Sequence, residues 1–73
     1  MSIPDTWAAL TPRQREVANH VVRGLTSKQI ARYMAISHQT VAVHRRSIFR
    51  AFAVHSVAEL AIRLRSETTT LLE

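Results

Sequence analysis

Residues 26–46, with the sequence TSKQIARYMAISHQTVAVHRR, most constrain what this chain can fold into. Apolar residues recur there at helical spacing as far as Met34, and the pattern breaks at Ile36. Ser37 can then cap a second helix, because its hydroxyl can accept an N–H of the following turn. Two helices joined by a tight turn, the second basic along one side, are the pattern of a helix-turn-helix.

Helix-capping signals divide the rest of the chain. Thr11, Thr26 and Ser56 are each followed three residues later by Gln or Glu, which is the spacing of a capping box. Gly24 suits the left-handed position at which helices often end. The predicted helices are 12–23, 27–34, 38–52 and 57–66.

These elements predict a single domain of the all-α class. We expect a compact four-helix helix-turn-helix domain, without a wing, over residues 10–66, with the helix-turn-helix itself at 26–45. Residues 1–9 lead into it, with Pro4 and Asp5 starting a short helical turn and Trp7 anchored on the core rather than on a partner. Residues 67–73 are expected to form a frayed tail.

The charge is positive and unevenly distributed. Ten Lys and Arg residues against five Asp and Glu give a net charge of +5. No acid lies between Glu16 and Glu59 but six basic residues do, so residues 17–58 carry +6. A charge run alone usually marks a solvated surface. Because this one coincides with the helix-turn-helix pattern, it favours a nucleic acid as partner.

The composition argues against catalysis and metal binding. The chain has no cysteine, and its four histidines, at positions 20, 38, 44 and 55, include no pair at the i, i+4 spacing of a helical metal site. One glycine cannot make a glycine-rich phosphate loop, and no nucleophile–base pair stands out. We therefore expect no enzyme activity, cofactor or metal. The absence of a long apolar run or a signal peptide predicts a cytoplasmic protein with no membrane contact.

The two faces of the predicted helix 38–52 differ in chemistry. Val41, Ile48 and Phe52 share an apolar face, at about 100° per residue. The opposite face is polar, basic and small. In the major groove, Gln can bond adenine, Arg can bond guanine, and a small apolar side chain can touch a thymine methyl. The predicted base-facing residues are Gln39, Ala42, Val43, Arg46 and Arg50.

The predicted helix 57–66 is more apolar than a short terminal helix needs for packing on a small core. One interpretation is simple core packing, and the other is a self-association surface. The sequence alone gives them equal weight. The residues of this face are Val57, Leu60, Ala61 and Leu64, widened by Ala58 and Ile62.

A series of short motifs keeps one continuous spacing over about residues 10–61. The pieces are Leu10-Thr11-x-Arg13-x-Arg15-Glu16-Val17, Gly24, Thr26-Ser27-Lys28-Gln29-Ile30-Ala31, Ile36-Ser37, Thr40-Val41-x-x-His44, Ile48, Val54 and Glu59-Leu60. Together they resemble the LuxR/GerE-type DNA-binding domain of bacterial transcription regulators. The resemblance implies four helices, of which the third enters the major groove and the fourth commonly forms a dimer contact.

The resemblance also implies partners and contact residues. It suggests a homodimer on two-fold-related promoter half-sites in double-stranded DNA, at the bacterial nucleoid, and a contact with RNA polymerase. Carried over by position, Ala42, Val43 and Arg46 face bases. The predicted DNA-backbone residues are Thr26, Ser27, Lys28, Thr40 and His44, together with His38 and Arg45. Of these, the helix N-terminus and the Lys28 ammonium suit a phosphate on physical grounds alone.

The sequence departs from the family pattern at several positions. Ala42 stands where the family usually has Lys, which removes one cation. Residues 51–53, Ala-Phe-Ala, replace the usual Lys-Leu-Gly, with Arg50 one residue earlier as a partial substitute. If φ is positive at Ala53, the alanine is strained by roughly 1 kcal/mol, and otherwise the helix runs further. Val57 stands where Arg or Thr is common, so the last helix begins with an apolar residue.

Two alternative functions remain open. A module like region 4 of sigma factors shares the Leu-Thr-x-Arg and helix-turn-helix pattern and would bind one asymmetric promoter site. A protein-interaction module would instead pair with a full-length regulator through the last helix and inhibit it. The sequence is equally consistent with a stand-alone regulator and with the C-terminal domain of a longer one, and it leaves open the input signal and the choice between activation and repression.

Overall fold

The computed structural model describes the backbone of residues 6–72 and the side chains of residues 6–65. The described residues form five helices and no strand, so the predicted all-α class is confirmed. The helices are α1 (Thr6–Ala9), α2 (Pro12–Val22), α3 (Ser27–Met34), α4 (His38–Phe52) and α5 (Val57–Leu72).

The central helices have their predicted bounds, and the outer ones differ. α3 and α4 begin and end as predicted, whereas α2 ends one residue early, at Val22. α5 continues to Leu72, so the predicted frayed tail is wrong over most of its length. The reason is that no Gly or Pro after Arg65 supplies a stop signal. The short first helix is present as α1, while Pro4 and Asp5, expected to start it, lie outside the described residues.

Side-chain caps begin the helices. Thr11 Oγ1 accepts the Gln14 amide at 3.1 Å, and Gln14 Oε1 accepts the Thr11 amide at 2.9 Å. Thr26 and Gln29 form the same reciprocal pair, with distances of 3.1 and 2.8 Å. These two of the three predicted capping boxes are confirmed. Ser37 caps α4 by accepting the Thr40 amide at 3.0 Å.

The third predicted capping box, at the start of α5, has a shifted geometry. Ser56 Oγ accepts the Glu59 amide at 3.1 Å, as expected. The Glu59 carboxylate, however, accepts the amide of His55 at 2.7 Å, one residue before Ser56. The cap therefore ties the turn between α4 and α5 to the first turn of α5.

Helices α2, α3 and α4 end in the same way. A residue with positive φ follows each helix: Gly24 at 92°, Ala35 at 58° and Ala53 at 55°. The amide of the next, apolar residue then bonds a carbonyl five residues earlier, which is the Schellman arrangement. The three bonds are Leu25 N to His20 O (3.1 Å), Ile36 N to Ala31 O (3.0 Å) and Val54 N to Phe49 O (3.0 Å).

This geometry resolves the open question at Ala53. The backbone there is left-handed, so α4 stops at Phe52 instead of running on, and alanine occupies a conformation that favours glycine. The same strain at Ala35 was not predicted, because the sequence pattern indicated a turn without specifying its backbone conformation.

The core lies where α2, α3, α4 and the first turns of α5 meet. Ala31 is small enough to let α3 and α4 approach, and Val41 fills the angle between them with no exposed surface. The buried residues are Leu10, Val17, Ala18, Val21, Ile30, Ala31, Met34, Val41, Ile48, Phe52, Val54 and Leu60. This packing fixes how α3 and α4 are oriented relative to each other.

The N-terminal helix α1 is held on this core by apolar and polar contacts. Trp7 packs against the core as predicted. Arg15 of α2 donates from Nε to the Trp7 carbonyl at 3.1 Å and from a terminal nitrogen to the Ala8 carbonyl at 2.9 Å. Sequence analysis did not predict these hydrogen bonds, because in the sequence Arg15 resembles any other surface cation.

Candidate nucleic-acid interface

One face of α4 is fixed by burial and the opposite face is open. Val41 and Ile48 are fully buried and Phe52 nearly so, which sets the rotation of the helix about its axis. The described geometry exposes Gln39, Val43, Arg46 and Arg50, and leaves Ala42 half-buried. The sequence-predicted base-facing residues therefore share one side of α4, with Ala42 at its margin.

Val43 is the unusual member of that face. Its side chain is 56% exposed, although Val is costly to leave in water and is not a favoured helix former. An exposed apolar residue between Gln39 and Arg46 can contact a methyl group. This face of α4 therefore carries both hydrogen-bonding and apolar side chains, which match the donors, acceptors and thymine methyl groups of base edges in the major groove.

The arginines of α4 are placed differently. The guanidinium of Arg45 lies over the Phe49 ring, 5.6 Å from its centroid, and Arg45 is half-buried at the edge of the helix. Arg46 and Arg50 are exposed. The one ion pair in the described part of the chain, Arg13 with Glu16 at 3.5 Å, lies on α2. The charge on α4 is thus not neutralised by a carboxylate there.

The start of α3 forms the second part of the surface. The amide of Thr26 is bonded to Gln29 Oε1 and its hydroxyl accepts the Gln29 amide, so both groups are already used in the capping box, and a contact of Thr26 with DNA stays a prediction. The amides of Ser27 and Lys28 have no carbonyl one turn earlier within the helix. Together with the exposed Lys28 side chain, they are the groups at this end that suit an anion.

Three more predicted backbone-contact residues lie on α4. His38 and Thr40 are exposed in its first turn, where the Thr40 hydroxyl is 2.7 Å from that of Ser37. His44 is half-buried at the core edge, as expected from its position. By contrast, His20 is on α2, and its ring centroid lies 4.9 Å from that of Tyr33.

The structure corrects one residue of the predicted dimer interface. Leu60 is fully buried inside the single chain, so it has no surface to give to a second copy. Leu64 is half-buried and packs on the core, and Ala61 is half-buried beside it. Among the described side chains of α5, the large apolar residues that remain exposed are Ile62, at 61%, and Val57, at 36%.

In the described part of the chain, no three His, Cys, Asp or Glu side chains converge as metal ligands would. No described helix combines the length and the apolar character that crossing a bilayer requires.

The fold and this surface together define a helix-turn-helix domain of a DNA-binding transcription regulator. The profile of a family described as bacterial regulatory proteins, luxR family, matches residues 8–64. The chain therefore belongs to the luxR family of bacterial regulatory proteins, which is not a family of enzymes. The resemblance recognised in the sequence is confirmed.

Several curated proteins are similar to this chain. The nitrate/nitrite response regulator protein NarP of Escherichia coli K12 is 42% identical over 52 residues, which are 71% of this chain and 24% of NarP. The tetrathionate response regulatory protein TtrR of Salmonella typhimurium is 41% identical over 57 residues, or 78% of this chain and 28% of TtrR. The transcriptional regulatory protein TdiR of Thauera aromatica is 38% identical over 56 residues, or 77% and 25%. The chain thus spans about a quarter of the length of these relatives. No solved structure matches it.

Proposed function

We propose that this chain binds double-stranded DNA sequence-specifically, with α4 in the major groove, and so regulates transcription in the bacterial cytoplasm. The observation that carries the proposal is the exposed face of Gln39, Val43 and Arg46. These side chains project from a helix whose opposite face is locked in the core. A rigid helix can hold them in register with base edges, which a mobile segment cannot do as well.

Backbone contacts orient that helix on the duplex. The amides of Ser27 and Lys28 and the Lys28 ammonium bind one phosphate, and His38, Thr40 and Arg45 approach the backbone beside α4. Such contacts fix position and carry little sequence information. The reading of sequence therefore falls to α4, and affinity depends on both sets.

The binding form is a homodimer that joins through α5. Support comes from the exposed apolar side chains of Val57 and Ile62 and from the half-buried Ala61, which border the part of α5 that packs on the core. Two copies related by a two-fold axis would read two half-sites, and the bound dimer would stand beside RNA polymerase at a promoter.

Selection from a fully randomised duplex pool at near-physiological salt tests the proposal. Enrichment of two-fold-related half-sites is the expected result. One asymmetric site would instead favour a sigma-like module. If no sequence is enriched and binding depends only on salt, sequence-specific reading is refuted. That result would favour the second candidate function, a protein-interaction module that pairs with a full-length regulator, which is consistent with the missing cation at Ala42.

A further inference from the structure

An open cleft lies at the C-terminal end of α4, where the chain turns into α5. Its volume is about 400 Å³. The lining combines three cationic or ionisable side chains with an apolar floor, and its members are Arg46, Phe49, Arg50, Ala53, Val54 and His55. His55 is in none of the contact sets considered above. Arg50 and His55 are both exposed, so their side chains can reach a ligand without disturbing the core.

We propose that this cleft seats a phosphodiester and sugar of the DNA backbone, with Arg50 and His55 as its cationic contacts. The proposal rests on the proposed function and extends it. It also reassigns Arg50 from base reading to backbone contact. Arg50 is eleven residues after Gln39, about 16 Å along the helix axis, whereas the major groove is about 12 Å wide. A helix whose first turns read bases therefore carries Arg50 towards the edge of the groove.

The lining suits a sugar-phosphate unit better than a bare anion. A guanidinium can donate two parallel hydrogen bonds to phosphate oxygens, and an imidazolium can donate another. Phe49 and Val54 supply apolar surface for the carbons of a deoxyribose. The neighbouring positions Ala51 and Val57 carry no polar side chain, so Arg50 and His55 are the side chains around this turn that can donate to a phosphate beyond the base-reading Arg46.

Two negative features oppose the site, and both are partly neutralised. The C-terminus of α4 carries the negative end of the helix dipole, but the carbonyls of Arg50 and Phe49 already accept the amides of Ala53 and Val54. The Glu59 carboxylate is bound to the amide of His55 at 2.7 Å. Among the described residues, the cleft therefore holds two positive charges, from Arg46 and Arg50, against this one carboxylate, and His55 adds an imidazole that can donate to a phosphate.

The experiment measures affinity for the duplex selected above and for its single-base variants at one fixed pH. We expect His55→Gln to weaken binding roughly three- to tenfold, by the same factor for every variant of the site. His55→Lys, which places an ammonium in the cleft, should keep wild-type affinity or exceed it. His20→Gln is the matched control, because His20 on α2 contacts the ring of Tyr33 on α3 and does not line the cleft. Circular dichroism confirms that each variant folds.

Arg50→Ala supplies the second, independent readout. We expect the DNA affinity to fall about tenfold, by the same factor for every single-base variant of the site. The slope of log affinity against log salt concentration should become shallower by about 1. A loss confined to one base pair would restore Arg50 to base reading and overturn the proposal. So would a His55→Gln protein whose DNA affinity equals that of His20→Gln. A wild-type chain without any site preference would refute the proposed function instead, so the two failures are distinguishable.

Discussion

Ala35 and Ala53 occupy left-handed backbone conformations, with φ of 58° and 55°. In this region the Cβ of an L-residue lies too close to the following carbonyl oxygen, whereas glycine has no Cβ. The third helix end of the same kind has Gly24. The two alanines therefore lower the stability of a domain whose small core leaves little margin.

Ala53→Gly should stabilise the domain by about 0.5–1 kcal/mol. Relief of left-handed strain exceeds the extra entropy that glycine gives the unfolded chain. The midpoint of urea unfolding measures the change. Ala51→Gly is the matched control: it is exposed in the last turn of α4 and should destabilise by up to about 1 kcal/mol. Equal destabilisation by both substitutions would contradict the strain assigned to Ala53.

At the scale of the elements, sequence reasoning located the central helices well and the last one poorly. Thr26 with Gln29, and Ser37, define where α3 and α4 begin, because caps are local hydrogen bonds that a sequence specifies directly. The end of α5 could not be predicted in this way, because a helix without a stop signal continues for as long as its backbone bonds are favourable.

The sequence also could not show which apolar residues of α5 are buried in the core and which are exposed. Leu60 and Ile62 are both apolar, but one is fully buried and the other is 61% exposed. An apolar residue gives the same pattern whether its own chain or another chain covers it. The rotation of the helix against its neighbours, which tertiary packing sets, decides between the two.

Substitutions on α5 should separate folding from association. Leu60→Ala removes fully buried methyl groups and should cost about 2–5 kcal/mol of unfolding free energy. Ile62→Glu should change stability by less than about 0.5 kcal/mol, because Ile62 is mostly exposed, while weakening dimer formation. Chemical denaturation and sedimentation equilibrium measure the two effects. A dimer unaffected by Ile62→Glu would place the self-association surface elsewhere.

At the scale of the whole molecule, four of the six basic residues in 17–58 lie on the two parts of the proposed DNA surface. Arg45, Arg46 and Arg50 are on α4, while Lys28 is at the start of α3. The sequence predicted the sign and extent of this charge. It could not show that the capping box occupies the amide of Thr26, or that Arg50 and His55 line one cleft, since both depend on how the turns fold.

The charge distribution predicts a steep salt dependence. Each phosphate contact adds about 0.9 to the slope of log affinity against log salt concentration on duplex DNA. Lys28→Ala should reduce that slope by about 1 on specific and random duplexes alike. Arg13→Ala is a suitable control, because Arg13 is paired with Glu16 on α2 and should leave the slope unchanged. Equal slopes for all three proteins would remove Lys28 from the backbone contacts.

In the proposed complex, α4 reads bases while the start of α3 holds the DNA backbone. The two roles are separated by measuring the affinities of wild type, Arg46→Ala and Lys28→Ala for every single-base variant of the selected site. Arg46→Ala should lose about 1–3 kcal/mol of binding free energy and discriminate less between bases at one base pair per half-site. Lys28→Ala should weaken all variants by the same factor. If both substitutions weaken every variant equally, α4 does not read the sequence, and the proposed docking is wrong.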